Sequence, residues 1–305
     1  MVQENSLKKI IIICGPTASG KTSLAIECAR LLNSEVISAD SMNVYKGLDI
    51  GTAKPTKQEM GEIKHHLIDV VSPFDNFTVF DYREKAQEII NKLHNEGKIP
   101  VICGGTGFYI NSILYDLSYG NSNANLDARD MYLELAKEKG NQFVYNVLVE
   151  KDPETAKKLH PNDLKRVVRA LEICESGTKK SQIKDDLIPK FDYRAYTINF
   201  PTEELYNRIN SRVEIMIENG LIDEIKKLVS QGVTTNCQSM QGIGYKEIFP
   251  YLSGELTLDE TIELIKLNTR HYAKRQKTFF RKLPNLQYLQ PDNTSILAKR
   301  IISEL

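Results

Sequence analysis

The 305-residue chain has no tryptophan and only five cysteines (Cys14, Cys28, Cys103, Cys174 and Cys237), none forming a Cys-x-x-Cys pair. This excludes a disulfide scaffold and the usual zinc-ribbon ligand sets. Cysteines scattered through apolar runs read as free thiols of a reducing cytoplasm. Charge of one sign is also lacking: 40 Lys and Arg balance 40 Asp and Glu. Any nucleic-acid surface must therefore be a local patch rather than a field of the whole molecule. Long hydrophobic runs are missing too. Behind the polar Met1–Ser6 comes only Ile10-Ile11-Ile12-Ile13-Cys14, far too short to span a bilayer, so neither a signal peptide nor a membrane segment is expected. Internal repeats and low-complexity tracts are absent. Glu62-Ile63-Lys64-His65-His66 lacks the spacing of zinc hydrolases, and Gly242-Ile243-Gly244 is too short for a dinucleotide fingerprint.

Directly behind the isoleucine run stands Gly15-Pro16-Thr17-Ala18-Ser19-Gly20-Lys21-Thr22, a full match to the phosphate-loop pattern. Such a loop cradles phosphates with successive backbone N–H groups, neutralises them with its lysine, and offers the following hydroxyl to Mg²⁺. Placement supports the match, because a β-branched strand precedes the glycine turn and an amphipathic helix, 23–32, follows it.

Up to about residue 115 strand and helix patterns alternate. Glu35–Asp40 and His66–Val71 read as strands, Val79–Glu96 as a helix, and Ile99–Cys103 as a strand leading into Gly104-Gly105-Thr106-Gly107. This alternation predicts an α/β fold, a P-loop NTPase-like parallel sheet flanked by helices. In such sheets ligands gather at the carboxyl ends of strands, where Lys21, Asp40 and Thr106 would converge. Residues 120–125 are loop-like and 127–185 helical, with Asp163 a candidate N-cap for a helix through Cys174. A strand pattern returns only at Tyr193–Phe200. The expected organisation is thus a catalytic core of residues 1–119 and 193–305 interrupted by a mainly helical insertion at 120–192. Further helices are expected at 202–219, 221–231 and 257–281.

Asp40, at a strand tip facing the phosphate loop, suits a general base or a water-mediated Mg²⁺ ligand, and equally a turn residue. Thr106 suits a diphosphate or metal shell, and equally a helix cap. Two helices carry cations. Lys165, Arg166 and Arg169 share one face near Lys157, Lys158 and His160. Lys266, Arg270, Lys274, Lys277 and Arg281 align on one side of the last long helix, joined by Arg275 and Lys282 with no acid between 266 and 282. That stripe favours an anionic partner, while Tyr272, Phe279 and Phe280 read as core contacts.

Taken together, the phosphate loop, Ala39–Pro55, Gly104–Tyr109, His160–Asp163 with Arg166–Glu172, Gly242–Tyr245 and Ala273–Arg281 resemble the bacterial tRNA dimethylallyltransferases in order along the chain. The resemblance implies transfer of a dimethylallyl group from dimethylallyl diphosphate to N6 of adenosine 37 in tRNAs reading codons that begin with U. It further implies that the phosphate loop, Gly15 to Thr22, holds the isoprenoid diphosphate with help from Arg212. Asp40 would act as base, Thr106 would lie near the diphosphate, and Lys21 with Mg²⁺ on Thr22 would neutralise the leaving group. Contacts with tRNA would come from Asp40, Ser41, Met42, Asn43, Thr106 and Arg129; from Lys165, Arg166, Val167, Val168 and Arg169; from Gln241, Gly242, Ile243, Gly244, Tyr245 and Lys246; and from Lys274, Arg275, Gln276, Lys277, Thr278, Phe279, Phe280 and Arg281. Asn43 stands where the family more often has glutamine, and Phe279 where tryptophan is common. The end at Leu305, without a zinc-finger extension, favours a bacterial form; a cytoplasmic monomer is expected. Competing expectations are an adenylate isopentenyltransferase, a P-loop small-molecule kinase and a non-catalytic RNA-binding module.

Overall fold

The computed structural model describes residues 7–117 and 126–305; the polar start and the loop-like 120–125 segment lie outside them. Among the described residues the chain divides into two compact units, Tyr115–Ile188 and the remainder. The division falls a few residues before the expected 120 and 193. Lys190 donates its N–H to the Leu114 carbonyl, so the segment leading into the late strand already belongs to the core.

The larger unit contains strands β1 (Lys9–Cys14), β2 (Val36–Ser38), β3 (His65–His66) and β4 (Val101–Gly104), with helices α1 (Lys21–Leu31), α2 (Lys57–Met60), α3 (Val79–Asn95) and α4 (Gly107–Leu114). The smaller unit holds α5 (Leu126–Lys139), α6 (Asn141–Lys151), α7 (Pro153–Ala156) and α8 (Leu164–Glu175). The chain then returns to the larger unit with β5 (Asp192–Ile198), α9 (Thr202–Glu218), α10 (Leu221–Ser230), α11 (Phe249–Leu252), α12 (Leu258–Phe280), β6 (Leu286–Leu289) and α13 (Thr294–Ser303).

The six strands form one sheet in the order β3-β2-β4-β1-β5-β6, and every pairing is parallel. β1 lies in the middle because it is the most apolar strand. Successive strand residues face opposite sides, yet Ile10 to Cys14 are all 0% exposed, so both faces of the sheet are covered there. Ile11 and Ile13 pack with Ala25 and Cys28 of α1 and with Ile301 of α13. The smaller unit has its own core, in which Val144, Leu148, Val167 and Leu171 meet. No described helix is long and apolar enough to cross a membrane.

Three local expectations change. The strand expected at His66–Val71 stops at His66, because Leu67 and Asp69 take left-handed φ of 60° and 55°, incompatible with a continuing ladder. Only Val71 returns to bridge Tyr45. Asp163 does occupy the N-cap of α8 but makes no capping bond; its carboxylate pairs with Arg166 instead. β6 and α13 were not expected, since four residues of edge strand give too short a pattern to read.

Candidate active site

The phosphate loop leaves β1 at Cys14 and re-enters regular structure at α1, whose N-cap is Gly20 in the left-handed region with no side-chain cap. By contrast, α3 and α12 close their first turns with capping boxes from Thr78–Asp81 and Thr257–Glu260. The N-terminal N–H groups of α1 are therefore left for an anion, at the positive end of the helix dipole. Lys21 begins this helix, its Nζ 3.4 Å from the Pro16 carbonyl. Burial holds its pKa below the ordinary lysine range, with Arg212 adding to the effect and Cys103 and Asp40 opposing it. The loop is braced from outside: Thr17 donates its N–H to Oε1 of Gln276 at 3.0 Å, and Arg208 donates from Nε to the Ala18 carbonyl at 2.9 Å while lying over the Phe200 ring.

Beyond β2 the ladder to β4 is extended by Ala39, which donates to the Cys103 carbonyl. Gly104 makes this approach possible, since a β-carbon there would sit 2.1 Å from the Ala39 oxygen. The next residue, Asp40, forms a turn in which Oδ1 accepts from the Met42 N–H at 2.9 Å. Thr106 then ties the two strand tips together. Its N–H donates to the Ala39 carbonyl, and its Oγ1 accepts from the Ser41 N–H at 3.0 Å and contacts the Ser41 hydroxyl at 3.3 Å. Asp40 is thus both a turn residue and a wall of the site, so the two expectations for it are compatible.

Thr17, Lys21, Asp40, Ser41, Met42 and Gly104 line a cavity of about 340 Å³, with Thr106 behind Ser41 rather than in the lining. Lys21, which lies in the field of Asp40 and Arg212, lines it together with those two residues, Thr22 and the apolar side chains Ile68, Ile209, Val213, Met216, Ile243 and Ile265. The rim formed by Gly51–Ala53 and Gly242–Gly244 is held by Glu224 of α10. That carboxylate accepts from the N–H groups of Asp49, Ile50 and Gly51 at 2.9, 2.8 and 3.2 Å and from the Tyr245 hydroxyl at 2.6 Å. Such a lining offers cations for an anion, apolar side chains for a short hydrocarbon and a carboxylate as proton acceptor.

Residues 43–283 match the family model for IPP transferases. The chain belongs to the IPP transferase family. Among its curated relatives, the tRNA dimethylallyltransferase of Clostridioides difficile strain 630 is 46% identical over 290 residues, 94% of this chain and 93% of that protein. That of Acetivibrio thermocellus is 45% identical over 290 residues, with 94% and 93% covered. Among solved structures, the tRNA isopentenylpyrophosphate transferase of Bacillus halodurans matches with a TM-score of 0.73 at 39% identity, covering 97% of this chain and 96% of its own. A eukaryotic dimethylallyltransferase, described as acting on tRNA, matches at 0.81 and 32% identity, covering 97% of this chain and 78% of that one.

Within this IPP transferase the cavity gathers the diphosphate candidates Thr17, Lys21, Thr22 and Arg212, the 40–43 segment, Gln241–Gly244 with Lys246, and Arg275 with Gln276. Lys277 and Arg281 instead line a second, smaller cavity behind Gly15 and Pro16. Lys165, Arg166 and Arg169 lie on α8 in the other unit.

Several expected RNA contacts are corrected by burial. Val167 and Val168 are 0% and 2% exposed in the core of the smaller unit, so any contact there falls to Lys165 and Arg166, which are exposed. Phe280 and Tyr245 are buried, Tyr245 serving as a partner of Glu224. Arg129 is not buried, but its guanidinium is paired with the fully buried Glu172 at 2.8 Å. On α12, Lys266 pairs with Glu214 and Glu263, and Arg270 donates to Asn210 at 2.7 Å. The free cationic stretch therefore begins only at Lys274.

Tyr272, read as a core contact, lines the cavity. Its hydroxyl interacts with the Thr106 and Gln276 side chains, and burial together with the field of Asp40 raises its pKa. Its spacing of four residues from Gln276 was the available clue. Nothing local marked Glu224, Met216 or Ile209.

Proposed function

We propose that the chain transfers the dimethylallyl group of dimethylallyl diphosphate to N6 of adenosine 37 in tRNAs that read codons beginning with U, forming N6-isopentenyladenosine and releasing diphosphate. The observation that carries this reading is the make-up of the cavity: the cations Lys21 and Arg212, the Asp40 carboxylate and a set of apolar side chains line one space.

The N6 lone pair is delocalised into the adenine ring, so the amine is a weak nucleophile. Asp40 accepts the N6 proton as the new N–C bond forms and the bond from carbon to the diphosphate oxygen breaks. The charge that develops on the departing diphosphate is met by Lys21, Arg212 and the open N–H groups at the start of α1, a preorganised arrangement. The Thr22 hydroxyl, which lines the cavity, is a hard oxygen donor and fits Mg²⁺, leaving Asp40 to act as the base. When bound, that ion supplies further neutralisation of the diphosphate. Adenine must leave the anticodon-loop stack to enter the cavity. Lys274, Lys277 and Arg281 of α12, and Lys165 and Arg166 of α8, hold the RNA backbone. The working unit in this reading is a monomer.

The test is to incubate the protein with Mg²⁺, dimethylallyl diphosphate and unmodified tRNA and to analyse the nucleosides by mass spectrometry. Isopentenyladenosine in the tRNA is the expected product. Its absence, with prenylation of free AMP or ATP-dependent phosphorylation of a small molecule, would overturn the reading.

A further inference from the structure

Gln276 sits on α12 between the exposed Lys274 and Arg275 and the half-buried Lys277, yet it is itself only 5% exposed. It enters the gap between the two loops at the strand tips. Oε1 accepts the Thr17 N–H at 3.0 Å, and Nε2 donates to the Gly105 carbonyl at 3.0 Å. A primary amide carries an acceptor and a donor on one rigid plane, which is what a bridge between an N–H and a C=O requires. The second loop is shaped to admit it: a β-carbon on Gly105 would lie 2.1 Å from Nε2, and its other neighbours stand at 3.4 Å. Thr17 belongs to the phosphate loop, whereas Gly105 immediately precedes Thr106, which fixes Ser41 and the Asp40 turn. One side chain thus spans from the anion-binding side of the cavity to its carboxylate side.

We propose that Gln276 is a positioning residue. It sets the separation between the phosphate loop and the Asp40–Thr106 edge, and it does not contact RNA. The proposal rests on reading the cavity as the site where diphosphate and attacking amine meet. Its physical basis is that the β1–β4 ladder ends at the Cys14–Gly104 pair, so the loops beyond it take their spacing from further contacts, while a misplacement near 1 Å between reacting groups lowers rates by about 100-fold.

Two variants test it from opposite sides of the same bond. Gln276→Ala removes the amide. Gly105→Ala keeps the amide and displaces it, with no backbone strain, because Gly105 has no left-handed φ. Three quantities are measured for each: affinity for inorganic pyrophosphate with Mg²⁺ by calorimetry, affinity for unmodified tRNA by filter binding, and kcat and KM for prenyl transfer. Each single variant should lower kcat by about 30- to 100-fold and weaken pyrophosphate binding by about 10-fold, with tRNA affinity within about twofold of the parent. The double variant should be no worse than the poorer single, since both break one bridge, whereas independent sites would multiply their effects.

Pyrophosphate affinity and kcat at parental values in Gly105→Ala would overturn the proposal. So would a loss of tRNA affinity with pyrophosphate binding intact, which would make Gln276 an RNA contact. If Gln276→Ala does not fold, Gly105→Ala carries the same comparison. A parent protein that binds pyrophosphate but forms no prenylated adenosine would instead defeat the proposed activity, and the pyrophosphate measurements would still read the bridge.

Discussion

In the cavity at the strand tips, Lys21, Arg212 and Asp40 face one another without closing an ion pair among the described residues. In the smaller unit, Arg129 and Arg169 close on the fully buried Glu172, and Tyr132 and Lys151 close on Glu175. The two regions draw on the same residue types and put them to opposite uses. Charges held apart in a partly dry pocket keep their electrostatic work for a ligand and destabilise the empty protein. Charges already satisfied by neighbours hold the fold and have little left to offer a partner. By that criterion, a basic residue on a predicted helix face becomes a candidate binder only once its neighbours are known.

The sharpest way to break this contrast is Asp40→Asn. The amide oxygen can still accept from Met42, so the turn survives while the base is lost. Single-turnover prenyl transfer should fall by about 10³- to 10⁴-fold with tRNA affinity retained; substantial residual turnover would remove Asp40 as the base. The counterpart in the smaller unit is Glu172→Ala, which strands two arginines. Urea unfolding should show a loss of about 3 kcal/mol, and an unchanged midpoint would mean that this cluster is not the structural kind.

A gentler comparison lies within α12. Neutralising Lys274 and Lys277 should weaken tRNA binding by about 10-fold and reduce its salt slope by about 1.5, whereas neutralising the internally paired Lys266 should leave the slope within about 0.3 of the parent. Equal slopes would show the stripe to be merely solvated.

The smallest expected effect is on acid stability. Burial pushes the Asp152 carboxyl up, but bonds from Thr155 and Ser181 outweigh it and bring the pKa to about 2. A lowered pKa stabilises the fold fully above the ordinary carboxylate value near 4 and loses that contribution as pH falls through about 2. Denaturation midpoints should therefore decline across that acid range, and Asp152→Asn should flatten the decline.

The phosphate loop was legible because its strand, turn and helix are contiguous. The meeting of Lys21, Asp40 and Thr106 followed from parallel topology, which brings the ends of all strands to one edge. The inward direction of Tyr272 and Gln276 was not legible, because helical periodicity says which residues share a face but not what that face meets. The Glu224 brace escaped for a related reason: its partners are backbone N–H groups, which leave no trace in residue type. The left-handed turns at Leu67 and Asp69 cut short a strand that alternation alone would have continued, and neither residue advertises such a conformation.

The bridge through Gln276 also has a consequence for synthesis. Thr17 emerges from the ribosome early, and its partner lies 259 residues further along. At about 10 residues per second the loop waits roughly half a minute for that amide. Over that interval a nascent chain can offer phosphate ligands a loose loop but not a spaced pair of walls. Chemistry on RNA would begin only after α12 has been made.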